Sequence, residues 1–155
     1  MTRSYIWILT EVLREELKNA RLVSNPGCYP TSSFLSIELK NIIIDAKPVV
    51  SGAGCSAKEN LLFTEVSILM VLPNIVMDEE FVVVLENGAI PRTHRVKGTN
   101  YCLINVFPNR IPGRAIIISV IDNLVKGALD QALQNLNLLM GFPENLGLHY
   151  LPLFP

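Results

Sequence analysis

The sequence predicts an α/β fold, in which helices cover a sheet built from short and strongly apolar strands. Three observations support this prediction. Residues 21–39 have the pattern of a strand, a Pro-Gly turn and a helix, two apolar runs of strand length flank the turn "PNRIPG", and an amphipathic helix follows the second run. The 155 residues suit one domain, and half of them are hydrophobic while only 17% are charged, which is a globular composition.

Helix and strand signals alternate in the first third of the chain. Residues 10–20 are predicted to form a helix, because Thr10 can cap its N-terminus, an acidic residue follows in the first turn, and apolar residues recur on one face. The run 21–24 is a short strand that leads into the turn, and Pro30 suits the first position of a second helix. Residues 41–47, "NIIIDAK", have the length and the β-branched composition of a buried strand.

The second half of the chain predicts a hairpin and a final helix. Residues 78–88, "DEEFVVVLENG", fit a helix or a strand, and the acidic start favours a helix. Residues 101–107 and 114–121 are predicted strands, and the tight turn between them predicts an antiparallel hairpin. The final helix can be capped by Asp122 and ended by Gly141.

The final predicted helix has two distinct faces. Its apolar stripe consists of Val125, Leu129, Ala132, Leu133, Leu136 and Met140. Its opposite, polar face consists of Lys126, Asp130, Gln134 and Asn137. A helix with this pattern packs its apolar stripe on the core and leaves its polar face in water.

Charge, cysteine and histidine content exclude several classes of function. The formal net charge of −1 lacks the basic surface of a nucleic-acid-binding protein. Three cysteines indicate reduced thiols, and two histidines without any CxxC pair argue against a metal site. The apolar patch at residues 5–9 is too short for a signal sequence or a membrane span, so we expect a cytoplasmic protein that does not bind a membrane.

The stretch "SNPGCYPTSS" frames Cys28 with two prolines. A predicted strand gives way to a predicted helix here, so the thiol is expected near a helix N-terminus, where the peptide dipoles favour the thiolate. A thiolate attacks carbonyl carbon, which makes Cys28 a candidate nucleophile. The alternative is an inert cysteine buried in a strained turn.

A second candidate site is the Gly-rich stretch "SGAGCSAKE", which contains Ser51, Gly52 and Gly54. Glycines there would let backbone N–H groups approach a phosphate or a carboxylate. The stretch has neither the Walker pattern nor GxGxxG, and no such motif occurs elsewhere in the chain. The alternative is a glycine-rich loop without a ligand.

Several segments together resemble the N-acetyl-γ-glutamyl-phosphate reductase family, namely "NPGCYPT", "NIIIDAK", "SGAG", "NYCLINVFPNRIPGRAIIISVIDNLVKGA" and "QALQNLNLLMGFPENLGLHYLPLFP". The resemblance covers nearly all of the chain and is strongest to plant members, which are made with a chloroplast transit peptide. It implies a partial C-terminal domain of the semialdehyde dehydrogenase type, with the Rossmann domain largely absent. Residues 1–24 would be the end of the NADP-binding domain, and residues 25–155 an incomplete substrate-binding and dimerisation domain.

The resemblance also implies a mechanism. Cys28 would attack the acyl carbon of N-acetyl-glutamyl phosphate, expel phosphate and leave a thioester, which NADPH would reduce to the semialdehyde. Ser51, Gly52 and Gly54 would form the loop that binds the anionic substrate, and Asn123 would lie near the nicotinamide of NADP(H). Because family members are oligomers, the resemblance implies a homo-oligomer or co-assembly with a full-length paralogue.

The chain departs from the family at several positions. The family's His-x-Pro-Glu segment has no counterpart, and His94 and His149 match stretches that are not catalytic in the family. Cys55 replaces an arginine that could bind an anionic substrate, and Leu129 and Asp130 replace small residues that approach the cofactor. We therefore expect the chain alone to be inactive as a reductase. The alternatives are a non-catalytic oligomerisation module and a degraded gene product.

Overall fold

The computed structural model describes residues 5–7, 9–37, 50–53, 59–65, 79–86, 88–108, 110 and 114–151. The strands are β1 (Tyr5–Trp7), β2 (Leu22–Ser24), β3 (Val50–Ala53), β4 (Glu59–Glu65), β5 (Val82–Val84), β6 (Cys102–Pro108) and β7 (Arg114–Ile121). The helices are α1 (Arg14–Lys18), α2 (Cys28–Ile37) and α3 (Asp130–Leu139), with a 3₁₀ turn at Thr93–Arg95 and a π-helical turn at Val125–Leu129. The predicted α/β class is confirmed.

Within the described ranges, five strands form the main sheet in the order β3-β4-β7-β6-β5, in which the β5–β6 pair is parallel and the other pairs are antiparallel. The predicted hairpin is confirmed, since β6 and β7 are antiparallel neighbours with Cys102 opposite Ile121. The preference for a helix at residues 78–88 is wrong, because Val82–Val84 form β5 beside β6. Three consecutive β-branched residues fit a pleated sheet, and this outweighs the acidic start.

The Gly-rich segment is partly strand rather than loop. Ser51 and Gly52 lie in β3, the edge strand that pairs with β4. Pairing with β4 engages the backbone of this segment, which the glycines alone do not reveal. Gly54 and the strand predicted at residues 41–47 lie outside the described residues.

A smaller parallel pair of strands, β1 and β2, is connected through α1. The strand predicted at residues 21–24 is confirmed as β2, but the helix predicted at residues 10–20 contracts to Arg14–Lys18. Thr10 does not cap it, because its hydroxyl donates to Asn135 Oδ1 at 2.6 Å. Leu13 occupies the N-cap position without a side-chain hydrogen bond.

The apolar core lies between α2 and the sheet. Its buried members are Leu9, Leu35, Val82, Cys102, Ile104, Ile117 and Ile121. Leu103 in β6 and Val120 in β7 alternate with these core residues along their strands and therefore point to the other face of the sheet. There they form a smaller cluster with Val96. Helix α2 packs against β4 and β7, and this contact fixes the position of its first residue, Cys28.

The predicted C-terminal helix is present, but its two faces are reversed. The exposed fractions of Leu129, Leu136 and Met140 are 73%, 51% and 62%, whereas Gln131 and Gln134 are fully buried. The expectation that the apolar stripe packs on the core is therefore wrong. The polar side chains are buried because they find hydrogen-bond partners around residues 10–14 and at Asn100.

Within the described ranges, no helix combines the length and the apolar character needed to cross a bilayer.

Candidate active site around Cys28

Cys28 lies where β2 gives way to α2. Strand β2 ends at Ser24, and Cys28 is the first residue of the ten-residue α2. The Gly27 carbonyl accepts two hydrogen bonds from Thr31, from its backbone N–H and its hydroxyl, both at 3.1 Å. Pro30 is the third helical residue and not the first, and its missing N–H is tolerated in the first turn. The free, half-buried thiol lies at the positive end of the helix dipole.

Asn25 ties this turn to the C-terminal part of the chain. Its side-chain Nδ2 donates to the carbonyl of Ala128 at 3.0 Å, and its Oδ1 accepts from Asn135 Nδ2 at 3.3 Å. Pro26, the next residue, is buried. The turn that precedes Cys28 is therefore fastened to two residues more than one hundred positions away, a role of Asn25 that sequence reasoning missed.

Gly127 packs directly against Cys28. A Cβ atom built on Gly127 would lie 2.6 Å from Cys28 Cβ, 3.0 Å from Cys28 Cα and 3.3 Å from Ile121 Cδ1. Only glycine permits an approach this close without movement of the backbone. Sequence reasoning missed Gly127, although a glycine inside a helical pattern is itself a signal of close packing.

A cluster of buried polar residues lies beside this contact, and we call it the polar cluster. It consists of Thr10, Glu11, Lys126, Gln131, Gln134 and Asn135, all of which are buried. Lys126 Nζ forms an ion pair with Glu11, donates to Gln134 Oε1 at 2.8 Å and lies 5.5 Å from the centre of the Phe81 ring. Burial alone raises the pKa of Glu11, but the charge and hydrogen bond of Lys126 outweigh it and hold this pKa below its ordinary value.

A second group of charges borders the polar cluster. The Arg14 guanidinium donates two hydrogen bonds to the Glu79 carboxylate, at 2.8 and 2.6 Å, and two to Glu144, at 2.6 and 3.1 Å. The hydrogen bonds to Glu79 raise the pKa of Arg14 although partial burial opposes them. Glu144 also accepts from Gln134 Nε2 at 2.6 Å, so this bridge is continuous with the polar cluster.

The two residues that depart from the family at the start of α3 differ in environment. Leu129 is exposed, whereas the Asp130 carboxyl group is buried. Burial raises the pKa of Asp130, and the positive charge of Lys126 opposes this rise only in part. Among the described residues, three buried acceptor oxygens have no hydrogen-bond partner, namely Asn100 Oδ1, Asp130 Oδ2 and Gln131 Oε1.

Asn123, the predicted cofactor contact, is half-buried just before the π-helical turn. The preceding Asp122 fixes this stretch, since its carboxylate accepts from the N–H groups of Gly98 at 2.9 Å and Leu124 at 3.0 Å. Asn123 therefore lies in the stretch of chain that leads to Gly127 and its contact with Cys28. The role of Asn123 as a cofactor contact stays a prediction.

The predicted anion-binding residues lie elsewhere in the sheet. Ser51 and Gly52 are in the edge strand β3, and β4 separates β3 from β7. The histidines are also peripheral. His94 is exposed in the 3₁₀ turn, and His149 is exposed with its Nε2 3.0 Å from Glu80 Oε1. In the described part of the chain, no group of three or more His, Cys, Asp or Glu side chains is arranged to hold a metal ion.

Cys102 provides the contrast to Cys28 within the same fold. It lies fully buried in β6, with its Sγ 3.4 Å from Ser119 Oγ. Burial raises the pKa of the Cys102 thiol to about 12, although the contact with Ser119 opposes this shift. A thiol held neutral in an apolar core is a poor nucleophile. Of the two cysteines that the structure describes, Cys28 is therefore the better candidate nucleophile.

The sheet and the matching family model define the class of the protein. Residues 67–123, which include β5, β6 and β7, match the family model "Semialdehyde dehydrogenase, dimerisation domain". This part of the sheet is thus similar to a dimerisation domain of the semialdehyde dehydrogenase type.

Similar proteins narrow the class further. The chain is 42% identical to "Probable N-acetyl-gamma-glutamyl-phosphate reductase, chloroplastic" of Arabidopsis thaliana and 43% identical to the protein of that name from Oryza sativa subsp. japonica. It is 34% identical to N-acetyl-gamma-glutamyl-phosphate reductase of Rhodospirillum rubrum. These alignments cover 100%, 97% and 100% of this chain. The protein is therefore a homologue of the N-acetyl-γ-glutamyl-phosphate reductases over nearly its whole length.

The chain spans only part of these relatives, namely 56%, 53% and 64% of their lengths. The alignment with the Arabidopsis protein runs over 224 positions, although this chain has 155 residues. That relative therefore contains residues, within the aligned region, that have no counterpart here.

Proposed function

We propose that this chain carries the nucleophile of an N-acetyl-γ-glutamyl-phosphate reductase and forms the acyl-cysteine intermediate of that reaction. The position of Cys28 carries the proposal, because a free thiol is the first residue of α2 and Asn25 and Gly127 hold its turn in place. The homologues are named N-acetyl-gamma-glutamyl-phosphate reductases, and this name supports an acyl phosphate as the substrate class.

In the proposed step, the Cys28 thiol loses its proton to solvent and its sulfur attacks the acyl carbon of N-acetyl-γ-glutamyl phosphate. A C–S bond forms as the C–O bond to the phosphate breaks, and phosphate leaves with the electron pair. The N-terminus of α2 favours the approach of an anionic phosphate. The product on the protein is a thioester at Cys28.

NADP(H), the cofactor implied by the family resemblance, does not fit the described residues. A dinucleotide site needs a Gly-rich turn between the first strand and the helix of a parallel sheet. Among the described residues, the sheet of β1 and β2 has two parallel strands, and the connection from β1 to α1, "ILTEVL", contains no glycine. The buried Asp130 carboxyl, with its unpartnered Oδ2, also stands in the segment that the resemblance assigns to cofactor approach. We therefore propose acylation of Cys28 and no hydride transfer by this chain alone.

The test is to incubate the protein with N-acetyl-γ-glutamyl phosphate and to follow its intact mass. We expect one acyl adduct, which peptide mapping places on Cys28 and which hydroxylamine removes, as it does a thioester. The Cys28→Ser variant is the matched control and should stay unmodified. Absence of the adduct from the wild-type protein, or equal modification of the variant, would refute the proposal.

The exposed apolar face of α3 favours a second candidate function, assembly with a second copy of this chain. Leu136 in α3 and the two residues that flank the helix, Leu129 and Met140, are more than half exposed, while the opposite face of α3 is buried in the polar cluster. Exposed apolar patches of this kind mark interaction surfaces. Residues 67–123, which end just before the π-helical turn and α3, match a dimerisation domain, and this match supports a second copy of the chain as the partner.

Sedimentation velocity over a range of protein concentrations tests this candidate. We expect a dimer that Leu136→Lys and Met140→Lys convert to a monomer, because a lysine on α3 must be desolvated in the interface. Leu151→Lys is the control, since Leu151 is 88% exposed and lies outside α3. A wild-type monomer at all concentrations, or dimers that survive the α3 substitutions, would exclude this use of the face.

A further inference from the structure

The π-helical turn contacts the candidate nucleophile and the polar cluster through three consecutive residues. Lys126 pairs with Glu11, Gly127 packs against Cys28, and the Ala128 carbonyl accepts from Asn25. Successive residues of a helical turn point in different directions. A rotation or shift of this turn would therefore change the ion pair and the Cys28 contact together.

The turn has the unusual hydrogen-bond pattern of a π-helix. Gly127 N–H donates to Asp122 O at 2.9 Å, and Leu129 N–H donates to Leu124 O at 3.1 Å, so each bond spans five residues. Single π-turns are rare and occur frequently at functional sites. In this turn Lys126 pairs with Glu11 and the next residue, Gly127, packs against Cys28. A partner that fixes the orientation of the turn therefore also fixes the contact with Cys28.

The Glu11–Lys126 pair is suited to be that partner. Glu11 is also held by Gln131 Nε2 at 3.3 Å and Gln134 Nε2 at 3.1 Å, so its carboxylate has a defined place. Lys126 is fully buried and has no access to water as an alternative partner. A buried ion pair of this kind adds little net stability over apolar residues, but it fixes one geometry.

We propose that Glu11 and Lys126 are positioning residues for Cys28: their ion pair sets the π-helical turn so that Gly127 holds the first turn of α2 in place. This inference rests on the proposed role of Cys28 as a nucleophile. Neither residue touches the reacting atoms, and both act through the backbone of Gly127. The hydrogen bond from Asn25 to the Ala128 carbonyl also joins the turn before Cys28 to the π-helical turn.

The test measures the alkylation rate of Cys28 by iodoacetamide in the folded protein, with Cys102 followed in the same sample. In the double variant Glu11→Gln/Lys126→Met, which leaves no unpaired buried charge, we expect Cys28 to react about threefold faster or more, because the first turn of α2 opens locally. Gly127→Ala should act in the same direction, since its new Cβ meets Cys28 Cβ at 2.6 Å. Cys102, fully buried in β6, should stay protected.

Each other result has a defined meaning. An unchanged Cys28 rate in the folded double variant would overturn the proposal, whatever the rate of Gly127→Ala. A parallel rise in the rates of Cys28 and Cys102 would also overturn it, because general loss of stability exposes both thiols. If the double variant fails to fold, Glu11→Asp replaces it, which keeps the charge but shortens the reach. It should raise the Cys28 rate alone, and a wild-type rate would contradict the proposal.

This experiment is independent of the acylation assay. If wild-type Cys28 forms no acyl adduct, the proposed function fails, but the alkylation rates still decide whether Glu11 and Lys126 position the thiol. If the adduct forms and the alkylation rates do not respond, the positioning role fails alone.

Discussion

The apolar core under α2 and the polar cluster beside α3 are both buried, but they differ in what holds them together. The core residues, such as Leu35 and Ile117, stabilise the fold through the area they remove from water, and neighbours of similar size are interchangeable within limits. In the polar cluster each side chain depends on named partners, as Lys126 does on Glu11 and Gln134. The core therefore tolerates gradual change, whereas the cluster fails when one partner is removed.

The largest effect should follow from removal of one charge of the polar cluster. Lys126→Met leaves the Glu11 carboxylate buried without its cation, and the free energy of unfolding should fall by about 3–5 kcal/mol. The double variant Glu11→Gln/Lys126→Met should recover most of this loss. Urea denaturation of the three proteins provides the comparison, and a double variant less stable than Lys126→Met would contradict the dependence on partners.

A truncation in the apolar core should have a graded effect. Leu35→Ala removes a fully buried side chain from α2 and should lower the free energy of unfolding by about 2–5 kcal/mol. The matched substitution Leu136→Ala, at a residue that is 51% exposed on α3, should change it by less than about 0.5 kcal/mol in a monomeric sample. Equal losses for the two variants would mean that the exposed face of α3 is covered in solution.

Gly127 connects the two regions and should be sensitive to a single methyl group. Gly127→Ala should destabilise the protein by about 1–3 kcal/mol, because its Cβ meets Cys28 and Ile121. Gly27→Ala is the matched control for stability, since a Cβ on Gly27 has no heavy atom within 4 Å. Thermal unfolding of both variants should show a lower midpoint for Gly127→Ala only.

The acid sensitivity of the protein should report on the polar cluster and not on the core. Lys126 holds the pKa of Glu11 below its ordinary value of 4.5, so the stability from Glu11 is present above pH 4.5 and is lost as pH falls through its folded pKa. Burial raises the pKa of Asp130, so its contribution has the opposite sign. We therefore compare two proteins that both carry Asp130→Asn, one with the Glu11–Lys126 pair and one with Glu11→Gln/Lys126→Met. The free energy of unfolding should fall less steeply below pH 4.5 in the protein that lacks the pair. Curves that remain parallel would contradict this role of Glu11.

The sequence predicts the apolar half of this comparison much better than the polar half. The hairpin of β6 and β7 follows from two apolar runs of strand length and the Pro-Gly turn between them, and the place of Cys28 follows from its prolines. The β5 strand is harder to predict, because the acidic residues before Val82–Val84 favour a helix and the sequence does not show that β6 will pair with this segment.

The reversal of α3 could not be read from its pattern. Hydrophobic periodicity assumes that polar residues stay in water, which holds only if the fold offers them no partners. Glu11 and Lys126 are more than one hundred residues apart, and each alone has the appearance of a solvated surface charge. The contact of Gly127 with Cys28 likewise depends on how α2 and the π-helical turn approach each other.

The central claim is that Cys28 is a nucleophile held in place for attack on an acyl phosphate. The most direct measurement is the release of inorganic phosphate in the first turnover, with N-acetyl-γ-glutamyl phosphate in excess and no cofactor added. We predict a burst of phosphate that is stoichiometric with the chain and absent from Cys28→Ser. A wild-type protein without a burst, or a Cys28→Ser variant with the same burst, would contradict the claim.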